Sequence, residues 1–197
     1  MSFLWSFMVL TLRQPGVAAR TILLRQWPHE AIWTGLFLAI VLNELFFGAL
    51  GLYVTKSSDL AMFGLSPKHP GLSLFLSALR SVGFAALLTY CGRLIGGTAR
   101  FMPMLSLLVW DQLVQLVVMA GGIAALLASP TFGSIVFLVI GLVMFFVLLN
   151  FVNEAHGFAS LWYAFAVVLM ATIVLFFSML FLDGLFGPAN TGLPTNV

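Results

Sequence analysis

Residues 132–151 read FGSIVFLVIGLVMFFVLLNF, a run that contains no charged side chain. About 20 apolar residues in a helix are enough to cross the hydrocarbon core of a bilayer. Within lipid, every backbone polar group needs an internal partner, and an α-helix supplies these partners within one segment. This run therefore predicts a membrane-spanning helix, and it sets the pattern against which the rest of the chain is compared.

Further apolar runs of the same kind precede and follow it. We expect membrane spans at about 31–54, 72–95, 103–128, 132–151 and 158–182. Most of the connections between them are short, and short connections make the helices that they join antiparallel neighbours. The longer first connection covers residues 55–71. The predicted fold class is all-α: a polytopic membrane helix bundle with about five transmembrane helices, preceded by a short N-terminal interfacial helix.

The composition of the chain supports this fold class and excludes several function classes. Of 197 residues, 62% are hydrophobic and only 7% are charged, whereas soluble domains contain about 25% charged residues. The few basic residues form no patch or stripe, which argues against a nucleic-acid partner. The single cysteine, Cys91, cannot form an internal disulfide, and Cys/His spacings typical of metal sites are absent. We therefore expect no catalytic residues, no cofactor and no metal.

The segment before the first span has an apolar start at residues 1–12. Three arginines follow it: Arg13, Arg20 and Arg25. A cleaved secretory signal has its positive charges first, so we expect this segment to be retained. Pro15 suits the first turn of a helix, where a missing N–H is not needed. From there Val17, Thr21 and Leu24 would line one side of a short helix at the membrane surface.

The basic residues also predict the orientation of the chain in the membrane. Five of the eight cluster before the first span and around the second connection: Arg13, Arg20, Arg25, Arg93 and Arg100. Because positive residues favour the cytoplasmic side, we expect a cytoplasmic N-terminus and a C-terminus on the opposite side. The expected organisation is an N-terminal cytoplasmic or interfacial segment at 1–30, a five-helix transmembrane domain at 31–183 and a short C-terminal tail at 184–197.

Polar side chains inside the spans are candidate functional positions, because they are costly in lipid. The candidate network has six members: Asn43, Glu44, Arg80, Asp111, Gln112 and Gln115. At about 1.5 Å per residue, Glu44 and Arg80 reach similar depths on neighbouring antiparallel spans, so we expect them to pair. Such a pair either fixes helix register or belongs to a polar pathway. The remaining members either hold helices together, as polar side chains often do, or line a cavity.

Two shorter patterns lead to structural expectations. Gly92 and Gly96 have the Gly-x-x-x-Gly spacing that lets helix backbones approach closely. Glu154 and His156 belong to the polar stretch after the fourth span, which we expect to form a hydrated turn at 153–157. Residues two apart diverge on a helix, so these two could act together on a proton or a metal only within a turn.

The order of these features resembles the Yip1-domain family in its bacterial form. The resemblance rests on Arg13-Gln14-Pro15, the helical segment 16–27, Pro28 before the first span and the five closely spaced spans. The Asp-Leu-Tyr-Gly-Pro signature of eukaryotic members is absent from this chain. Eukaryotic members act in vesicle traffic and bind prenylated small GTPases. For a bacterial member, the resemblance implies five helices in the cytoplasmic membrane and assigns no functional residue.

Two functions remain open at this point, and a third is disfavoured. The first is a non-enzymatic membrane organiser or an accessory subunit of a larger membrane complex. Its expected partners are the lipid bilayer and a membrane protein or further copies of the chain. The second is a small transporter or channel that uses Glu44, Arg80 and Asp111. An intramembrane enzyme is disfavoured, because the sequence lacks a Gly-x-Ser-x-Gly element, suitably placed paired aspartates and metal ligands.

Overall fold

The computed structural model describes residues 2–54 and 70–186, and these ranges are almost entirely helical. Their helices are α1 (Ser2–Arg13), α2 (Pro15–Leu24), α3 (His29–Val54), α4 (Pro70–Leu94), α5 (Phe101–Ala128), α6 (Pro130–His156) and α7 (Leu161–Phe186). The described part contains no strand. The first connection, 55–71, lies outside the described residues except for its last two positions. The predicted tail lies outside them after residue 186.

The five long helices α3 to α7 are each apolar and long enough to cross a membrane. This confirms the predicted fold class and a multi-pass membrane protein. Short helices precede the spans, as predicted, although α1 was not expected to be helical. The spans lie where the apolar runs predicted them, with a difference of a few residues at most ends. The largest differences are at the C-termini of α6 and α7.

The helix ends follow from local sequence. Proline opens α2 and α6, where its missing N–H removes no helical hydrogen bond. The Ser129 hydroxyl caps α6 by accepting from the Phe132 N–H. At the other end, Gly157 has a φ of 68° and its N–H donates to the Asn153 carbonyl. This left-handed glycine ends α6, so the helix continues through the polar residues. The predicted turn at 153–157 is therefore wrong over residues 153–156.

The N-terminal helices α1 and α2 pack against α6 and α5. The side of α2 that packs inward carries Ala18, Ala19 and Ile22, all of which are buried. The side predicted to lie along the membrane surface, with Val17 and Leu24, is exposed. Small side chains explain this arrangement, because they let the α2 backbone approach α6 closely.

The main core lies where α3, α4, α5 and α7 meet. Its most deeply buried large residues include Leu88, Met104 and Leu105, with Val167 of α7 against them. The fourth span, α6, lies against α5 and α7 on another side of this core. The central helix α5 thus contacts α3, α4 and α6 as well as α2, and its polar residues are positioned between several helices.

Candidate functional site

A row of serines on α4 makes polar contacts with two neighbouring helices. Ser73, Ser77 and Ser81 are four residues apart, so they share one face of the helix. The Ser73 hydroxyl donates to Glu44 Oε2 at 2.6 Å, and the Ser77 hydroxyl donates to Glu44 Oε1 at 2.5 Å. Both carboxyl oxygens of Glu44 on α3 are therefore bound by α4.

The third serine of this row connects α4 to a different neighbour. Gln112 Nε2 on α5 donates to the Ser81 hydroxyl at 3.1 Å. One face of α4 thus contacts α3 near Ser73 and Ser77, and α5 near Ser81. We call Glu44, Gln112 and these serines the serine row. The sequence contained a signal for this row, the spacing of four between serines. The predictions instead paired Glu44 with Arg80 and grouped Gln112 with Asn43, Asp111 and Gln115.

The predicted Glu44–Arg80 pair is wrong. Arg80 is exposed, and Glu44 is bound by two serine hydroxyls instead. The midpoint between Ser73 and Ser77 is five residues from Arg80, which is roughly 8 Å along a helix. The depth estimate from the sequence was therefore in error by more than one helical turn. Among the described residues, the only ion pair is the one between Arg20 and Glu154.

The other members of the candidate network do not form one hydrogen-bonded group in the described part of the chain. Asn43 Nδ2 donates to the Ala39 carbonyl of its own helix at 2.8 Å. Asp111 Oδ1 is buried and has no hydrogen-bond partner among the described residues. Gln115 is half-buried one turn further along α5. Of the six candidates, Glu44 and Gln112 are the two that hydrogen-bond to serines of α4 in the described part of the chain.

Arg20 and Glu154 form a bidentate ion pair that connects α2 to the end of α6. Arg20 Nε donates to Glu154 Oε2, and Arg20 Nη2 donates to Glu154 Oε1, each at 2.7 Å. The Glu154 side chain is 19% exposed and the Arg20 side chain 68%. The hydrogen bond to Glu154 and the negative charge of that group raise the pKa of Arg20 above its usual value, so the guanidinium stays charged. A Cβ at Gly16, one turn before Arg20, would lie 3.2 Å from Glu154 Oε1.

His156 lies at the centre of a second contact, between the end of α6 and the turn after α4. The residue is only 2% exposed. Its Nε2 is 3.2 Å from the Leu88 carbonyl, and the Ala99 N–H donates to its Nδ1 at 3.4 Å. These contacts suit a neutral ring with the proton on Nε2, which donates to Leu88. The expectation that His156 lies in a hydrated turn is therefore wrong.

Two glycines make room for the His156 ring. A Cβ at either Gly92 or Gly97 would overlap ring atoms of His156. Gly96, the predicted partner of Gly92, lies outside α4 and has a φ of 93°. The Gly-x-x-x-Gly interpretation is therefore wrong: Gly92 and Gly97 accommodate a side chain, and Gly96 allows the turn.

The predicted interfacial arginines separate into bound and free groups. Arg93 Nε donates to the Ala99 carbonyl at 3.0 Å, and Arg20 pairs with Glu154. The Arg25 guanidinium lies 4.7 Å from the ring centre of Trp27. Arg13 and Arg100 are exposed. Because Arg20 contacts the C-terminal end of α6, and Arg93 and Arg100 flank the turn after α4, these three share one end of the bundle, here called the basic end.

The N-terminal helices enclose an apolar groove against α3 and α5. The groove has a volume of about 280 Å³. Its lining includes Phe7, Ile22, Ile32, Val109 and Leu113, together with the exposed Arg25 and Trp27. A second cavity, of about 550 Å³, is lined by residues of α7 alone, so it is an open depression on a helix surface. The groove is the better-formed concave site of the two.

The described residues contain no group of three or more His, Cys, Asp and Glu side chains that could hold a metal ion. A comparison with protein families matches residues 9–182 to the Yip1 domain. The match begins within α1 and ends within α7, so it covers the end of α1, the whole of α2 to α6 and most of α7. No curated protein and no solved structure matches the chain.

Proposed function

This chain belongs to the Yip1-domain family, and on that premise we propose that it is a non-enzymatic membrane organiser or an accessory subunit of a larger membrane complex. The observation that carries the proposal is the serine row. Its polar side chains bind one another across neighbouring helices, and this is how polar groups hold a membrane bundle together. Glu44 in particular has both carboxyl oxygens bound by serine hydroxyls.

The helices themselves support the same function. In repeat-built transporters, substrate and ions bind where spanning helices are interrupted near the middle of the membrane. Here α5, α6 and α7 are each continuous across their apolar length. The polar contacts at the basic end, made by Arg20 and by His156, also connect helices to one another.

The outer surfaces of α6 and α7 offer a large area for a membrane partner. Large apolar side chains are exposed along both helices, among them Leu138, Leu142, Trp162, Phe177 and Phe181. Lipid covers such side chains in an isolated protein, and a second membrane protein can replace that lipid through close packing. We therefore infer that the partner, or a further copy of this chain, docks on α6 and α7.

Site-specific crosslinking in native membranes tests this docking face. A photoreactive residue replaces Phe177, which is 63% exposed on α7, and the matched control replaces Val167, which is fully buried on the same helix. We expect the Phe177 position to give one dominant protein adduct and the Val167 position to give none to another protein. Lipid adducts alone at Phe177, and at Leu142 on α6, would contradict the docking face.

One observation favours a second candidate, a small transporter or channel. Asp111 Oδ1 is buried within the third span and has no partner among the described residues, and intramembrane carboxyl groups often belong to ion or proton pathways. The test is a pH-gradient flux assay in proteoliposomes with wild type, Asp111→Asn and, for comparison, Glu44→Gln and Arg80→Gln. Flux that Asp111→Asn abolishes would support this candidate, and no flux above empty vesicles would eliminate proton transport.

A further inference from the structure

The apolar groove between the N-terminal helices and the bundle has walls from four elements. Phe3 and Phe7 come from α1, Ile22 from α2, Ile32 from α3 and Val109 from α5. Along α5 the groove extends from Ser106 to Leu113, a length of roughly 10 Å. It is therefore an elongated cleft formed by two short helices that lie across two spans.

The polar groups along this cleft are already bound to the protein. Trp110 Nε1 donates to the Thr11 hydroxyl at 2.9 Å, and that hydroxyl donates in turn to the Phe7 carbonyl. The Ser106 hydroxyl donates to the Pro103 carbonyl, and the Thr21 hydroxyl donates to the Val17 carbonyl. Because these donors are satisfied, the inner part of the cleft favours hydrocarbon over a polar ligand.

The outer part of the cleft carries a positive charge. Arg25 is exposed and lies over the Trp27 ring, and no described acidic side chain pairs with it. Arg20, five residues earlier, differs in this respect because Glu154 neutralises it. Arginine and tryptophan together are typical of the membrane–water interface, where they contact lipid headgroups. The cleft thus combines an apolar interior with an unneutralised cation at its exposed edge.

We propose that this cleft binds one phospholipid with an anionic headgroup, with an acyl chain along Ile32, Val109 and Leu113 and the phosphate beside Arg25. An amphiphile with a negative headgroup matches both parts of the cleft, since basic pockets between membrane helices bind anionic headgroups. A lipid in this position connects α1 and α2 to α3 and α5. The proposal does not depend on the organiser function, because it concerns a different face of the molecule.

The test uses purified protein in phosphatidylcholine vesicles that contain a trace of phosphatidylglycerol with a diazirine in its acyl chain. After photolysis, the labelled peptides are mapped by mass spectrometry. We expect labelling to concentrate in α1, α2 and residues 106–113. Ala31→Trp fills the cleft from α3 and is expected to remove most of this labelling. Leu142→Trp, on the exposed side of α6, is the matched control and should leave it unchanged.

A second pair of variants tests the headgroup. Since one basic residue near the membrane surface contributes about 1 kcal/mol to attraction of anionic lipid, Arg25→Gln should reduce labelling by the phosphatidylglycerol probe about fivefold. Arg25→Lys keeps the charge and should retain most of the labelling. Arg100→Gln removes a positive charge from the same end of the bundle and should have little effect.

Several outcomes would overturn the proposal. They are labelling spread over all exposed apolar faces, equal labelling by a phosphatidylcholine probe, or unchanged labelling in the tryptophan variant. If Ala31→Trp does not give a monodisperse protein, Thr21→Trp fills the cleft from α2 and replaces it. Loss of cleft labelling in Thr21→Trp supports the site if Leu142→Trp is still labelled as in the wild type. Unchanged labelling of Thr21→Trp contradicts it.

Discussion

At the scale of single residues, several polar side chains of the bundle are paired with a short polar neighbour on another helix. Glu44 is the clearest case, because two serines of α4 bind its two carboxyl oxygens. The same kind of hydrogen bond joins Gln112 to Ser81 and Trp110 to Thr11. Hydrogen bonds of this kind between membrane helices stabilise by about 0.6 kcal/mol on average, so their effect is on helix register as much as on stability.

The first prediction concerns the partner of Glu44. In a double-mutant cycle, Glu44→Ala and Ser77→Ala should show a coupling of about 0.5–1.5 kcal/mol, because each change removes the same hydrogen bond. Glu44→Ala and Arg80→Ala should be additive within about 0.5 kcal/mol. The free energy of unfolding in mixed micelles measures both cycles. A stronger coupling to Arg80 than to Ser77 would show that the contact assigned here is not the real one.

The second prediction concerns the space around His156. Gly92→Ala should destabilise the protein by about 1–3 kcal/mol, since the added methyl overpacks the ring. Gly83→Ala, on the same helix with nothing near its added Cβ, should change stability by less than about 1 kcal/mol. In a His156→Ala background, where the ring is absent, Gly92→Ala should destabilise the protein less than it does in the wild type. Thermal unfolding of the purified variants measures these changes. Equal effects at Gly92 and Gly83 would refute the contact between Gly92 and the His156 ring.

At the scale of helices, apolar run length predicted the elements well, and it did so because lipid allows few alternatives to a continuous helix. The contacts between helices were harder to predict, because they depend on how far each helix is shifted along its neighbour. The predicted depth along α4 was wrong by more than one turn. The sequence therefore indicated Arg80 as the partner of Glu44, whereas the partners are Ser73 and Ser77. The end of α6 was misplaced for a different reason. Polar residues near a span end suggested a turn, whereas Glu154 and His156 have partners on other elements.

The third prediction concerns the attachment of α2. Arg20→Glu should increase hydrogen exchange in α2, because it replaces the ion pair with repulsion at the end of α6. The swapped variant, Arg20→Glu with Glu154→Arg, should restore much of the protection. Since the Arg20 side chain is largely exposed, solvent screens the pair, and we expect it to contribute little to the free energy of unfolding. Arg13→Glu is the control, and an equal effect from it would mean that overall charge, and not the pair, holds α2.

At the scale of the whole molecule, three arginines of the described part of the chain gather at one end of the bundle. Arg20, Arg93 and Arg100 share the basic end, where α4 and α6 terminate. The Yip1-domain match extends over the end of α1 and the whole of α2 as well as the spans. We propose that the basic end faces the cytoplasm of a bacterial cell, which follows the positive-inside rule.

The fourth prediction tests this orientation with cysteines at opposite ends of α6. In a Cys91→Ala background, Thr131→Cys lies at the start of the helix and Ala159→Cys lies just after its end, and both positions are exposed. A membrane-impermeant maleimide should label Thr131→Cys on intact cells. It should label Ala159→Cys only after the membrane is permeabilised. The reverse pattern would show that the basic end faces outward.

The function proposed here requires that this protein acts through a companion in the membrane. Co-purification would identify that companion. The chain is tagged at its C-terminus, native membranes are solubilised in a mild detergent, and the recovered proteins are quantified by mass spectrometry. We expect one membrane complex in constant ratio to the tagged chain, and loss of that ratio when the docking face around Phe177 is altered. Recovery of the chain alone, together with ion flux in proteoliposomes that depends on Asp111, would contradict it.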